Sequence, residues 1–184
     1  MSNRVLLLHG WGGSDAPHWQ SFIAAEIARD YGHVNFLRFE NFDTPKLDIW
    51  KEQLLKTLLD FKPDVVVCHS LANTLWFHLC EQNKLPKIHK LYLVAPPSME
   101  CKVEELQEFF PVKIPSNLMS EETLLITSTD DPYMTQEEAQ ALQKELAVEM
   151  KVLQNAGHIN ADSGYTQWQW MLDELKNKDY KCQQ

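Results

Sequence analysis

Four short segments of this 184-residue chain carry groups suited to acyl transfer. In Cys68-His69-Ser70-Leu71-Ala72 a serine stands where the β-branched run Asp64-Val65-Val66-Val67-Cys68 meets an apolar helical pattern. A sharp strand-to-helix turn exposes such a serine as a nucleophile, provided the residues two positions to either side are small. Glycine is usual at both places; here they hold Cys68 and Ala72. Serine is also a preferred N-cap, so capping the following helix is a competing use of Ser70. Cys68, on the strand, reads as a buried, inert thiol.

Ser128-Thr129-Asp130-Asp131-Pro132 follows the apolar run Leu124-Leu125-Ile126. A carboxylate there can accept an imidazole N–H and stabilise the imidazolium as it forms, although Asp-Pro is equally a turn signal. Asn155-Ala156-Gly157-His158-Ile159-Asn160 supplies the imidazole, although a lone His in a polar loop is more often a surface residue. His9-Gly10-Trp11-Gly12-Gly13 follows the first apolar run. A glycine-rich turn can aim backbone N–H groups at a developing oxyanion; a tight turn around a structural His9 would look the same. The loop lacks G-x-G-x-x-G and any following Lys-Ser/Thr pair, which argues against dinucleotide and P-loop phosphate binding.

Order makes these four weak signals jointly stronger. Ser70, Asp131 and His158 each fall just after a strand-like run, in the chain order of the α/β-hydrolase triad. Asp131 is preferred to Asp130 because the acid of that pattern precedes a residue pair leading to a hydrophobic position, here Pro132-Tyr133-Met134. Pro132 also biases Asp131 to extended backbone. Asp162, a lesser candidate for the acid, reads with Ser163 and Gly164 as the start of the last helix. Of only six glycines, Gly10, Gly12 and Gly13 cluster after the first run, and Gly157 and Gly164 lie near His158. That placement marks two loops at the carboxyl ends of strands, where open α/β sheets bind ligands. Only Gly32 has a purely local explanation, as a helix end.

The elements that must position these groups alternate strand with helix, the pattern of a mostly parallel sheet covered on both faces. Val5-Leu6-Leu7-Leu8 predicts a strand buried on both sides. A helix follows with Pro17 in its first turn and Trp19, Phe22, Ile23 and Ile27 on one face. Val34 to Phe39 predicts a second strand, and Leu47, Trp50, Leu54 and Leu58 a helix stopped by Lys62-Pro63. The Asp64–Cys68 strand leads into a helix from about Leu71 to Glu81. Leu91–Val94 and Leu124–Ile126 are further strands, followed by a helix near Gln136 to Leu146 and a strand around Met150 to Leu153. A last helix runs from about Gly164 to Lys176. The stretch from Ala95 to Glu122, with Pro96, Pro97, Pro111 and Pro115, is expected to be a small lid or binding loop exposing Phe109-Phe110. Trp50, Trp168 and Trp170 read as packing residues, whereas Trp11 and Trp19 suit a substrate pocket or the core about equally. Phe109-Phe110 and Met119 suit acyl contact or loop anchoring equally.

Composition narrows the function classes. With 44% hydrophobic and 23% charged residues the chain is an ordinary globular protein, read as one domain over 1–184. No apolar run reaches a membrane-spanning length, and Met1-Ser2-Asn3-Arg4 leads into the first strand without a signal-peptide pattern. The four cysteines, Cys68, Cys80, Cys101 and Cys182, show neither metal-ligand nor disulfide-framework spacing. No metal and a cytoplasmic location with reduced thiols are expected. A net charge of −9 without a basic, aromatic-interleaved stretch argues against nucleic acid as a partner.

Taken together, H-G-W-G-G, C-H-S-L-A, S-T-D-D-P-Y and A-G-H-I-N-A-D-S-G resemble the compact serine hydrolases related to retinoblastoma-binding protein nine. The resemblance spans nearly the whole chain, and the segment around His158 and the S-T-D-D-P run are its more specific parts. It implies a minimal, cofactor-independent α/β-hydrolase with little or no cap and esterase-type activity. On this resemblance Ser70 is the nucleophile, Asp131 the acid and His158 the base. The backbone N–H groups of Trp11 and Leu71 then form the oxyanion hole, and His69 is a neighbour of the nucleophile, not a second base.

The reading that follows is hydrolysis of a small ester, thioester or amide through an acyl-enzyme on Ser70. A catalytically weak or inactive protein-binding module on the same fold is the alternative, because fold does not determine function. The first reading requires Ser70 Oγ and His158 to come within about 2.6–3.2 Å of each other.

Overall fold

Successive residues of a strand point to opposite faces, and this alternation sorts the apolar runs into two buried layers. Val5, Leu7, Val65, Val67, Tyr92 and Val94 pack into one layer, and Leu6, Leu8, Val66, Cys68, Leu91 and Leu93 into the other. In the computed structural model, which describes residues 3–82 and 84–176, these residues lie in a parallel sheet. Its strands are β1 (Arg4–Leu8), β2 (His33–Leu37), β3 (Val65–His69), β4 (Ile88–Val94), β5 (Ser120–Ser128) and β6 (Glu149–Leu153). Their order is β2-β1-β3-β4-β5-β6, and every pairing is parallel.

The helices cover both faces. α1 (Trp19–Arg29) buries Trp19, Ile23 and Ile27 at four-residue spacing, and α5 (Gln169–Lys176) packs Met171, Leu172 and Leu175 into the same layer. α2 (Leu47–Phe61), α3 (Leu71–Glu81) and α4 (Gln136–Leu146) cover the opposite face. α3 is buried almost all round, so its sequence is nearly continuous in apolar residues. α2 ends where Lys62 turns left-handed before Pro63, and α4 begins with a capping box between Thr135 and Glu138.

Topology places the site. The chain leaves β1 for β2 on one side, then crosses back to β3 on the other, so the loops after β1 and β3 diverge. The crevice at such a switch point is where open α/β sheets bind ligands.

Three expectations change. The last helix begins at Gln169, not near Gly164: Ala161–Ser163 form a separate 3₁₀ turn, which Asn160 caps and Gly164 ends at φ 86°. Asp162 therefore lies in that turn and does not begin α5. Pro17 precedes α1, whose N-cap is His18, with Nδ1 accepting from the Gln20 N–H. Phe109 and Phe110 are buried; the connection expected over 95–122 ends at Met119, just before β5, and its 3₁₀ helix Glu104–Phe109 anchors it to the α2–α3 layer through Leu106 and Phe109. Cys182 lies outside the described residues.

Trp50 carries much of that layer. Its ring stacks on Phe39 at 4.3 Å, meets Phe109 edge-on at 5.4 Å, and donates from Nε1 to the Glu40 carbonyl at 2.9 Å. Trp50→Ala is expected to cost about 3–5 kcal/mol, read as a lower urea midpoint at unchanged slope.

Candidate functional site

At the carboxyl end of β3 the chain reverses into α3 within one residue. Ser70 takes φ 55° and ψ −123°, a conformation that costs an L-residue roughly 1–3 kcal/mol unless its surroundings impose it. They do. The Ser70 N–H donates to the Val94 carbonyl at 3.0 Å, and the Ser70 carbonyl accepts from the Asn73 N–H at 3.0 Å and from Asn73 Nδ2 at 2.7 Å. Asn73 Nδ2 also donates to the Val94 carbonyl at 3.0 Å, tying the turn to β4. The Ser70 hydroxyl makes no cap bond to α3, so the capping alternative does not hold. Cys68 and Ala72 are wholly buried beneath the turn, and burial pushes the Cys68 thiol pKa well up.

The loop after β1 passes directly against this turn. A Cβ on Gly10 would sit 2.6 Å from Ser70 Cβ and 3.1 Å from the Leu71 nitrogen, so only glycine fits. His9 is structural: its Nδ1–H donates to the Gly10 carbonyl at 2.7 Å and its Nε2 accepts from the Phe39 N–H at 2.9 Å.

Ser70, His158 and Asp131 come together although each leaves a different strand. His158 Nε2 lies 2.8 Å from Ser70 Oγ, and His158 Nδ1 lies 3.0 Å from each Asp131 carboxylate oxygen. A carboxylate only accepts, so Nδ1 carries the proton and Nε2 is free to accept the Ser70 O–H. The His158 and Asp131 side chains are 8% and 3% exposed, which keeps water from competing. Asp131 Oδ1 also accepts the Tyr133 N–H at 2.9 Å.

Asp130 has a different task. Its Oδ1 accepts from Ser128 Oγ at 2.7 Å and from the Gly157 N–H at 2.8 Å, joining the loops after β5 and β6. These bonds, Ser128 first, hold its carboxyl below the usual carboxylate range.

The backbone of His158 is clamped on both sides. Its N–H donates to Ser163 Oγ at 3.1 Å, while Ser163 Oγ donates to Asn160 Oδ1 at 2.8 Å. Its carbonyl accepts from His69 Nε2 at 3.1 Å. Asn73, Ser163 and Asn160 were not singled out in the sequence as site residues. The signals for them were a polar residue in the otherwise apolar α3 and the run of polar residues just after His158.

Burial lowers the pKa of His69 well below the ordinary imidazole range and of His18 to about 4, and lowers that of His9 as well. These rings are neutral at pH 7; His158, beside them, faces the Asp131 carboxylate. A cleft of about 390 Å³ opens over Ser70 and His158, a size that suits a small organic ligand. Trp11 lines it and Trp19 does not; Trp19 lies in the core, donating to the Ile159 carbonyl at 2.7 Å. Among the described residues, the backbone N–H groups of Trp11 and Leu71 have no acceptor. Among the described residues no three of His, Cys, Asp and Glu converge as a metal site requires, and no helix is long and apolar enough to cross a membrane.

A parallel sheet with helices on both faces, and a serine on a strained turn at its switch point, define an α/β-hydrolase fold. Residues 5–177 match the Serine hydrolase family, and the chain belongs to that family. The ydeN gene product of B. subtilis is similar in structure, with a TM-score of 0.81 at 21% identity, covering 95% of this chain and 97% of that one. A YdeN-like hydrolase from Pectobacterium atrosepticum gives 0.76 at 25% identity, covering 95% and 89%. The esterase domain of a Rhodothermus marinus protein gives 0.65 at 14% identity, covering 95% and 85%. No curated protein matches the chain.

The neutral buried His18 makes stability depend on pH. Between its pKa of about 4 in the folded protein and 6.5 when unfolded, the unfolded chain binds more protons, so stability falls as pH drops through this range. His18 alone should make the protein roughly 2 kcal/mol less stable at pH 5 than at pH 7. Urea titrations at the two pH values measure this. His18→Asn keeps an acceptor for the Gln20 N–H and should reduce the dependence, leaving the part due to buried His69 and His9.

Proposed function

We propose that this serine hydrolase cleaves a small ester, thioester or amide through an acyl-enzyme on Ser70. The observation that carries the proposal is the continuous line of hydrogen bonds from Ser70 Oγ through His158 to Asp131, at 2.8 and 3.0 Å. His158 Nε2 takes the hydroxyl proton as Ser70 Oγ attacks the carbonyl carbon. Asp131 holds the Nδ1 proton and stabilises the imidazolium. The oxyanion forms against the Trp11 and Leu71 N–H groups, whose free donors and nearness to Ser70 support that role. As the tetrahedral intermediate collapses, the leaving atom takes the proton from His158. Water, deprotonated by the same imidazole, then releases the acid and restores Ser70.

The fold shared with an esterase domain supports the esterase side of this reading. Kinship with the compact hydrolases related to retinoblastoma-binding protein nine rests on the four sequence motifs and belongs to the same proposal, as does independence from cofactors. Cys68 and Ala72, which stand where glycine is usual, do not favour the binding-module alternative, because both side chains are accommodated in the buried layer beneath Ser70.

A fluorophosphonate probe tests the proposal. Wild type should label, Ser70→Ala should not, and Ser163→Ala should label more slowly because His158 loses a backbone tether. Well-folded wild type that fails to label would turn the search to protein partners. Asp131→Asn should lower kcat on the order of 10³–10⁴-fold, whereas Asp130→Asn, which leaves the imidazole its acceptor, should cost far less.

A further inference from the structure

Large apolar side chains left exposed call for an explanation when they border a site. Those exposed among the described residues are Trp11, Tyr31, Ile49, Leu59 and Tyr133, and of these Trp11 and Tyr133 line the cleft over Ser70. They are 39% and 45% exposed. Trp11 follows β1 and Tyr133 follows β5, while Ser70 follows β3 between them in the sheet.

Neither ring is loose. Trp11 Nε1 donates to the Asp43 carbonyl at 2.9 Å. Tyr133 is pinned through its main chain, donating to Asp131 and accepting from the Ser98 N–H at 2.8 Å, and its ring stands edge-on to His158 at 4.6 Å. Pro97, Val103 and Leu106 add an apolar wall from the connection between β4 and β5. The residues lining the cleft include Asp162 and Asp15, the latter paired with Arg38 at 3.6 Å, and among the described lining residues there is no Lys or Arg. An anionic ligand would meet the Asp162 carboxylate with no lining Lys or Arg to attract it, Arg38 being already paired with Asp15.

We propose that the cleft holds an uncharged aryl group in the leaving portion of the substrate, packed against Tyr133 and reaching towards Trp11. This rests on the acyl-enzyme reading above. The leaving side is assigned because the Tyr133 ring lies against His158, the group that hands its proton to the departing atom. Aromatic rings gain from stacked or edge-on contact beyond what their area alone supplies. A flat ring is therefore favoured over a saturated ring of the same size.

The experiment compares benzyl butyrate with cyclohexylmethyl butyrate, each kcat/KM divided by the ester's hydroxide rate constant. Wild type should prefer the benzyl ester by about three- to tenfold. Tyr133→Ala should bring the ratio to within about twofold of unity, and Tyr133→Phe should keep it. If Tyr133 merely shields His158, both esters slow together in Tyr133→Ala and the ratio stands, which overturns the subsite. Labelled wild type that treats the two esters alike, or turns over neither, also overturns it while leaving the hydrolase reading intact. Wild type that does not label removes both.

Discussion

The turn at Ser70 makes a β-strand stop, pass through a φ of 55° and present a hydroxyl to a base carried by a distant loop, and much of the carboxyl edge of the sheet follows from that requirement. A non-glycine residue holds such a conformation only when neighbours over-determine it. Val94 and Asn73 do so with hydrogen bonds, and buried Cys68 and Ala72 keep the space beneath the turn small. Gly10 completes the arrangement, because the loop after β1 can approach Ser70 closely only without a side chain. The same contact brings the Leu71 and Trp11 ends of the two loops into one crevice.

Around this turn, groups of identical chemistry are separated by environment. Asp130 and Asp131 are adjacent, yet one spends its acceptor on Ser128 and Gly157 while the other faces His158. Among the described residues no carboxylate hydrogen-bonds the rings of His9, His18 and His69, and desolvation, the largest cause of their lowered pKa values, keeps them neutral. His158 differs because Asp131 holds one edge of its ring and Ser70 the other. Within this crowded cluster, where the rings of His69 and His158 lie 5.3 Å apart, the environment of His158 is therefore set apart by its two polar partners.

The parts of this arrangement that depend on local pattern could be read from the chain alone. The buried strands β1 and β3 announce themselves by continuous apolar runs, and the order Ser70, Asp131, His158 by motif. Reading failed where tertiary contact decides. Ala161 to Gly164 reads as the start of a helix, but Asn160 and Gly164 close a separate tight turn there. Phe109-Phe110 reads as exposed because prolines surround it, yet the α2–α3 layer had room that these rings fill. Asn73 is an ordinary polar residue in sequence, and its role exists only because β4 ends beside β3.

By itself the sequence determined the alternation of strand and helix, the parallel sheet, the serine-hydrolase class, and Ser70, His158 and one of the Asp130-Asp131 pair as the groups of the candidate site. Those features depend on side-chain periodicity and on residues near one another along the chain. The tertiary structure alone decided which aspartate meets His158, that Ser70 turns instead of capping, and which aromatic rings line the cleft and which fill the core. Each of these turns on distances of about 3 Å between residues many positions apart, such as His158 and Asp131, and no local pattern encodes such a distance.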